Sequence, residues 1–266
     1  VYRWKGIWYP KSMKSLNEDL KTGQFKQIYL LYGEEAYLKK LYKNRFVKAM
    51  VPEGDTMNYR YFEGKNTNPK EIIDLAETLP FFAERRLIVL ENTGFLKNAT
   101  PELAEYLKNM PETTYMIFVE SELDKRGKLY KVIKEKGHIV ELKRQDEKTL
   151  MRWAAGILAR EGRKITTRDM ELFLTKTGTD MGNIRMDLEK LITYTMGQDI
   201  VTREDIEEIC TTRTENKIFD MVRAVTERNQ RRALDLYNDL LTLREPPMRI
   251  LFLLSKQFRQ MCLAKK

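Results

Sequence analysis

Residues 30–40 read LLYGEEAYLKK. An apolar run meets a glycine and passes into a segment that closes on two lysines, the way many nucleotide-binding chains begin. A phosphate-binding loop has the form G-x-x-x-x-G-K-[ST]: its glycines let backbone N–H groups surround the phosphates, its lysine reaches the terminal phosphates, and its hydroxyl holds magnesium. Laid on Gly33 to Lys40, the pattern fits at Gly33 and Lys39 only. Leu38 stands where the second glycine belongs and Lys40 where the hydroxyl belongs. Glu34 and Glu35 add two negative charges where phosphates would sit, an unfavourable arrangement even at moderate dielectric. The stretch has the position of a phosphate loop without its chemistry, so Gly33, Leu38, Lys39 and Lys40 read as a degenerate, non-functional P-loop.

Working outward, QIYLLY (27–32) is a buried strand and a helix follows from about Glu35 to Met50. MNYRYFEG (57–64) alternates β-type residues and reads as a second strand. In NPKEIIDLAETL, Asn68 is a helix cap, Pro69 suits the first helical position, and Glu71 three residues after the cap resembles a capping box. Further strands are expected at 85–92, 114–121 and in HIVELK from His138. Helices are expected at 100–110, with Thr100 as cap, and in LYKVIKEKG before Gly137. Strands alternating with helices predict a parallel sheet covered on both faces. The strand LIVL runs into Glu91-Asn92, which lacks the paired carboxylates that would hold magnesium and orient water. A Ser-Arg-Cys run that would supply an arginine finger is missing too.

After about Gln145 the β signal stops. DEKTLMRWAAGILAREG, TTRDMELFLTKTG, MGNIRMDLEKLITYTMG and TREDIEEIC all carry helical periodicity, several ending in glycine. From about Thr212 three more helical segments follow. The last is strongly apolar and ends in LAKK, which predicts a domain that is cut short or a helix that packs on a partner.

The balance of 42% hydrophobic and 33% charged residues suits a folded globular chain and excludes a disordered one. No run approaches the ~20 apolar residues of a membrane-spanning helix. Residues 1–12, VYRWKGIWYPKS, precede Met13 and lack the apolar core and cleavage site of a signal peptide; they read as an extension or tag, or as an aromatic anchor. Cys210 and Cys262 are too few and too far apart for a zinc module or a disulfide scaffold. His138 is expected to be a solvated or packed turn residue. The net charge of +9 is unevenly placed: residues 1–50 hold eleven Lys/Arg against four Asp/Glu, residues 212–266 twelve against six, and the middle is slightly acidic. Basic ends suit a polyanion or an acidic protein, or are simply solvated helix faces.

The stretches IYLLYGEEAYL (28–38), TLPFFAERRLIVLEN (78–92), SELDKRGKLYKVIKEKGHIVEL (121–142) and GNIRMDLEKLITY (182–194) together resemble the delta-subunit family of the bacterial DNA polymerase III clamp loader. Each is modest alone, whereas their order and spacing are specific. The resemblance implies an α/β domain followed by an all-α region: an AAA+-like P-loop NTPase fold with a parallel sheet, a three-helix lid and a truncated helical collar. The domains would be 13–145 (α/β, clamp-binding), 146–211 (lid) and 212–266 (start of the oligomerisation collar), with 1–12 outside them.

It further implies an accessory subunit of a nucleotidyltransferase holoenzyme with no catalytic site and no cofactor, acting in the bacterial cytoplasm at the replisome. It would grip the β sliding clamp and spring the ring open. Its other partners would be the tau/gamma ATPase subunits, delta prime and, within the complex, primer-template DNA; no membrane is involved. The gripping element maps onto Leu79, Pro80, Phe81 and Phe82. Pro80 turns the chain after a helix, and two adjacent phenylalanines at a turn cannot easily both enter the core. A projecting aromatic that fills an apolar pocket is the usual form of an interface hot spot. Lys125 and Arg126 in LDKRGK (123–128) would meet a neighbouring subunit or DNA. Arg185 in GNIR occupies the place of a phosphate-sensing arginine in related ATPases, and without nucleotide reads as a surface or interface arginine. Two other functions stay open: a divergent P-loop ATPase, supported by Gly33 and Lys39, and a general DNA-binding protein driven by the basic ends.

Overall fold

The computed structural model describes residues 13–210, 214–242 and 246–264. The expected extension at 1–12 and the expected boundary at 211–212 lie outside the described residues. Two compact units divide the chain between Asp146 and Glu147.

The first unit is built on five parallel strands: β1 (Ile28–Tyr32), β2 (Tyr59–Glu63), β3 (Arg86–Glu91), β4 (Thr114–Glu120) and β5 (His138–Glu141). Their spatial order is β2-β3-β4-β1-β5, so β4 is inserted between β3 and β1. Parallel neighbours require crossovers, which are supplied by α2 (Ala36–Met50), α3 (Pro69–Glu77), α4 (Pro101–Tyr106) and α5 (Lys128–Lys136). The central strands β1, β3 and β4 are buried almost throughout, as a sheet covered on both faces demands. On one face Leu30, Ile88, Leu90, Met116 and Phe118 join Ile72 and Ala76 of α3, Leu103 of α4 and Ile133 of α5 in one core. On the other, Tyr29 lies against Phe46 of α2 with ring centroids 4.4 Å apart.

Several elements follow the sequence reading closely and a few depart from it. Asn68 caps α3 by accepting from the Lys70 amide at 3.0 Å. Thr100 precedes α4 but makes no cap hydrogen bond with its side chain. That helix is also four residues shorter than its periodicity predicts: the amides of Lys108 and Asn109 donate to carbonyls three residues back, at 3.2 and 3.0 Å, and tighten its last turn ahead of Pro111. One helix was not foreseen, α1 (Lys14–Thr22), which ends at Gly23 in the left-handed region. It buries Leu16, and its Asp19 accepts from the Tyr29 hydroxyl at 2.8 Å. His138 of β5 is held by the same helix, with Nε2 3.0 Å from the Ser15 hydroxyl, so it is a packed residue.

The second unit is helical in its described part. The resemblance implies three helices in the first stretch and the periodicity four; the structure has four, α6 (Glu147–Arg160), α7 (Thr167–Thr177), α8 (Met181–Tyr194) and α9 (Arg203–Ile209). Thr166, Asp180 and Thr202 cap α7, α8 and α9, the last with a reciprocal capping box to Asp205. Then come α10 (Thr214–Thr226), α11 (Gln230–Thr242) and α12 (Pro247–Ala264). Ile218, Met221, Leu240 and Ile250 form a small core among these three.

Candidate functional site

Two places in the first unit carry the residues that the sequence singles out. The first is the turn between β1 and α2. Gly33 has φ +125°, and a Cβ there would stand 2.5 Å from the Leu142 carbonyl oxygen. Glycine is required at this position by the close passage of the chain after β5. Two of the turn's amides are used internally: Gly33 N–H donates to the Glu120 carbonyl at 3.3 Å and Glu35 N–H to the Leu142 carbonyl at 3.0 Å. The buried Glu35 carboxylate accepts from the Tyr37 amide at 3.3 Å. A helix N-terminus is a ready anion site, and at α2 the anion is the protein's own.

Lys39 is 7% exposed, and its ammonium donates to the Ser121 hydroxyl at 2.7 Å and to the Glu120 carbonyl at 3.4 Å. Burial pulls its pKa below the ordinary lysine range, against the nearby carboxylates Glu91, Glu120 and Glu35. The Glu120 carboxylate turns the other way and accepts from the Thr93 amide (3.0 Å), the Thr93 hydroxyl (2.8 Å) and the Gly94 amide (3.2 Å). Burial raises its pKa while these donors oppose the rise. At the end of β3, Glu91 pairs with Lys43 of α2 and accepts from the Tyr61 hydroxyl at 2.9 Å. Two lysines on successive turns of α2 thus tie the helix to the ends of β4 and β3. Leu38 is buried in place of the second loop glycine, and Lys40 is exposed.

The second place is the turn between α3 and β3. Leu79, Phe81 and Phe82 are 78%, 55% and 96% exposed. The two phenylalanine rings meet edge to face with centroids 4.6 Å apart, and Phe82 has φ +48°, an uncommon conformation for a bulky residue. Neither ring enters the core. Beneath them the backbone is fixed by two buried polar side chains. Asn58, just before β2, accepts from the Phe81 amide at 2.6 Å and donates back to the Phe81 carbonyl at 2.9 Å. Its second amide hydrogen goes to Asp55 at 2.8 Å. Arg86, the first residue of β3, donates to the carbonyls of Leu75 at 2.7 Å and Leu79 at 3.0 Å, closing the end of α3. The sequence reading finds the aromatic tip and misses these supports. An Asp three residues before an Asn at a strand start is a local turn signal, but the Asn58 partner lies 23 positions away and leaves no local trace.

Asp55 gives this support a pH dependence. Hydrogen bonds from the Asn58 side chain, then from the backbone amides of Asn58 and Met57, hold its carboxyl below the ordinary aspartate range. A depressed folded pKa stabilises above the unfolded value and is lost as pH falls through the folded one. The Asn58 side-chain amide resonances are therefore expected to hold steady from neutrality to about pH 4 and to move only below the ordinary aspartate value of ~3.9. A transition centred above that value would contradict the arrangement.

The remaining candidates make contacts of their own. Lys125 extends over the Tyr32 ring, 5.3 Å from its centroid. Arg126 is exposed and forks onto Asp124 at 3.0 and 3.1 Å. Arg185 lies on α8 in the other unit, where it pairs with Glu189 one turn on at 2.8 Å.

Two family models match the chain. One, described as the delta subunit of DNA polymerase III, covers residues 29–143, and one for the C-terminal domain of that subunit covers 215–266. The chain is 27% identical over 254 residues to the DNA polymerase III subunit delta of Bacillus subtilis, covering 91% of this chain and 73% of that one. It is 23% identical over 242 residues to a probable DNA polymerase III subunit delta of Aquifex aeolicus, covering 86% and 68%. The solved structure of the Bacillus subtilis DNA clamp loader delta protein superposes with a TM-score of 0.69 at 26% identity, covering 92% of this chain and 76% of that one. In sequence, in sheet-and-helix architecture and in the order of its motifs, the chain belongs to the DNA polymerase III delta-subunit family, the accessory clamp loader subunits.

Proposed function

We propose that this delta subunit binds the sliding clamp through Leu79, Pro80, Phe81 and Phe82 and opens the ring for loading onto primed DNA, without hydrolysing nucleotide itself. The observation that carries this reading is the pinned aromatic tip. Two phenylalanines stand out from a turn whose backbone is held by Asn58 and Arg86. Exposed aromatics on a rigid support suit insertion into an apolar pocket, because little backbone freedom remains to be lost on binding. The β1–α2 turn supports the second half of the reading. Its lysine and the amides of Gly33, Glu35 and Tyr37 are engaged by Ser121, Glu120, Leu142 and Glu35.

On the same reading 13–145 is the clamp-binding domain, 146–211 the lid and 212–266 the start of the collar. The ATPase subunits, delta prime and primer-template DNA are the remaining partners at the replisome, with Lys125, Arg126 and Arg185 as contacts to a neighbour or to DNA. Surface plasmon resonance on the immobilised clamp tests the reading: binding is expected with nucleotide omitted, and its absence in a folded chain would overturn it. A thermal melt with ATP and magnesium separates the divergent-ATPase alternative. A ligand at a hundredfold excess over its Kd stabilises by about 2.7 kcal/mol, enough to move the transition by several degrees. No shift is expected. A saturable shift would revive the enzyme reading.

A further inference from the structure

Every hydrogen-bonding group of the Asn58 side chain is committed: Oδ1 to the Phe81 amide, and the two Nδ2 hydrogens to the Phe81 carbonyl and the Asp55 carboxylate. The Asn58 backbone is fixed as well, with N–H donating to Asp55 at 2.9 Å and C=O accepting from Leu87 of β3 at 2.8 Å. One buried amide therefore grips both polar groups of the residue before Phe82 and ties them to the paired strands β2 and β3. From the other side, Arg86 fastens the Leu79 carbonyl, so the turn is anchored at Leu79 and at Phe81. Directly after the second anchor Phe82 holds φ +48° with its ring in solvent. A bulky residue keeps that backbone only where its surroundings over-determine it. The unusual conformation, the exposure and the two buried clamps occur at the same four residues.

We infer that Asn58 and Arg86 are positioning residues that preset the Phe81–Phe82 tip in its binding conformation, so that the partner's apolar pocket meets an already ordered element. The inference rests on the reading that the tip grips the clamp. Neither residue touches the partner; each acts through the turn. Preorganisation raises affinity by removing an ordering cost at the moment of binding, so releasing the turn lowers affinity without removing any contact.

A double-mutant cycle on the full chain, with the purified clamp as probe, tests this. Asn58→Ala is expected to weaken clamp binding about tenfold in the wild-type background and by a clearly smaller factor when Phe82→Ala is already present, where only the Phe81 ring is left to preset. A residue that only stabilised the fold would weaken both backgrounds alike. Asn58→Asp, nearly the same size, retains the acceptor for the Phe81 amide but places a second carboxylate beside Asp55 and loses the donor to the Phe81 carbonyl. It is expected to lower affinity as Asn58→Ala does and also to lower the melting temperature, because two carboxylates repel and the Phe81 carbonyl loses its donor. Equal losses in the two backgrounds, or wild-type affinity in folded Asn58→Asp, would overturn the positioning role while leaving the tip as the grip. Wild-type affinity in Phe82→Ala alone would overturn the grip and the positioning role together. Native-state hydrogen exchange on the unaltered chain gives a second measure. The Phe81 amide should be protected well beyond a surface turn, and exchange at the unstructured rate would contradict the preset conformation.

Discussion

Phe81→Ala/Phe82→Ala is expected to abolish measurable clamp binding while leaving the melting transition in place. Both rings project from the turn and neither fills the core, so truncating them creates no cavity. Alanine keeps the Cβ of phenylalanine, so the left-handed backbone at Phe82 gains no new strain from the substitution. Aromatic hot spots are worth roughly 2 kcal/mol or more each, about thirtyfold in affinity, and two in edge-to-face contact act together. A loss of at least ~100-fold is therefore expected for the pair, read by surface plasmon resonance beside a thermal melt. Wild-type binding by the double variant would remove this turn from the interface. An unfolded variant would mean that the rings support the core, against their exposure.

Gly33→Ala is expected to produce the largest change in stability. In an active phosphate loop this glycine would serve the ligand; here it serves the sheet. The added methyl would stand 2.5 Å from the Leu142 oxygen and 2.9 Å from its carbonyl carbon, both backbone atoms that cannot move without displacing the end of β5. The φ of +125° adds backbone strain of its own for any L-residue with a side chain. Strain of this kind costs ~1–3 kcal/mol before the clash is counted, so a loss of about 3 kcal/mol or more is expected. Against the ~5–15 kcal/mol typical of a domain, that is a large share. Urea unfolding should show a lower midpoint with an unchanged slope. A change within ~0.5 kcal/mol would show that β5 yields freely at this contact, because that is the range of substitutions that touch nothing important.

The strand-rich half was legible because its signals are local. IYLLY and LIVL are continuous apolar runs of strand length, as buried parallel strands require, and Asn68-Pro69 marks a helix start without reference to anything distant. The departures from a phosphate-loop pattern are equally local, since the missing glycine, the missing hydroxyl and the two glutamates are all close together in the chain. The contacts that Lys39 makes are not. Lys39 finds Ser121 across 82 positions, and no periodicity encodes that contact. The same holds at the tip: Pro80-Phe81-Phe82 announces a projecting turn, while Asn58 and Arg86 look like an ordinary polar residue and an ordinary strand arginine until the sheet brings them beneath it. Helix α1 escaped because its buried face is narrow, with Leu16 its one fully buried side chain. Its role, seating Asp19 against Tyr29, depends on a strand that comes later in the chain.

On the proposed reading this chain opens the clamp by binding alone. The most direct test places a self-quenching fluorophore pair across one interface of the clamp ring and adds the chain in the absence of nucleotide. The expected result is dequenching that saturates with the chain, is unaffected by ATP, and disappears with Phe81→Ala/Phe82→Ala. Binding without dequenching, or dequenching that requires ATP with this chain alone, would contradict it.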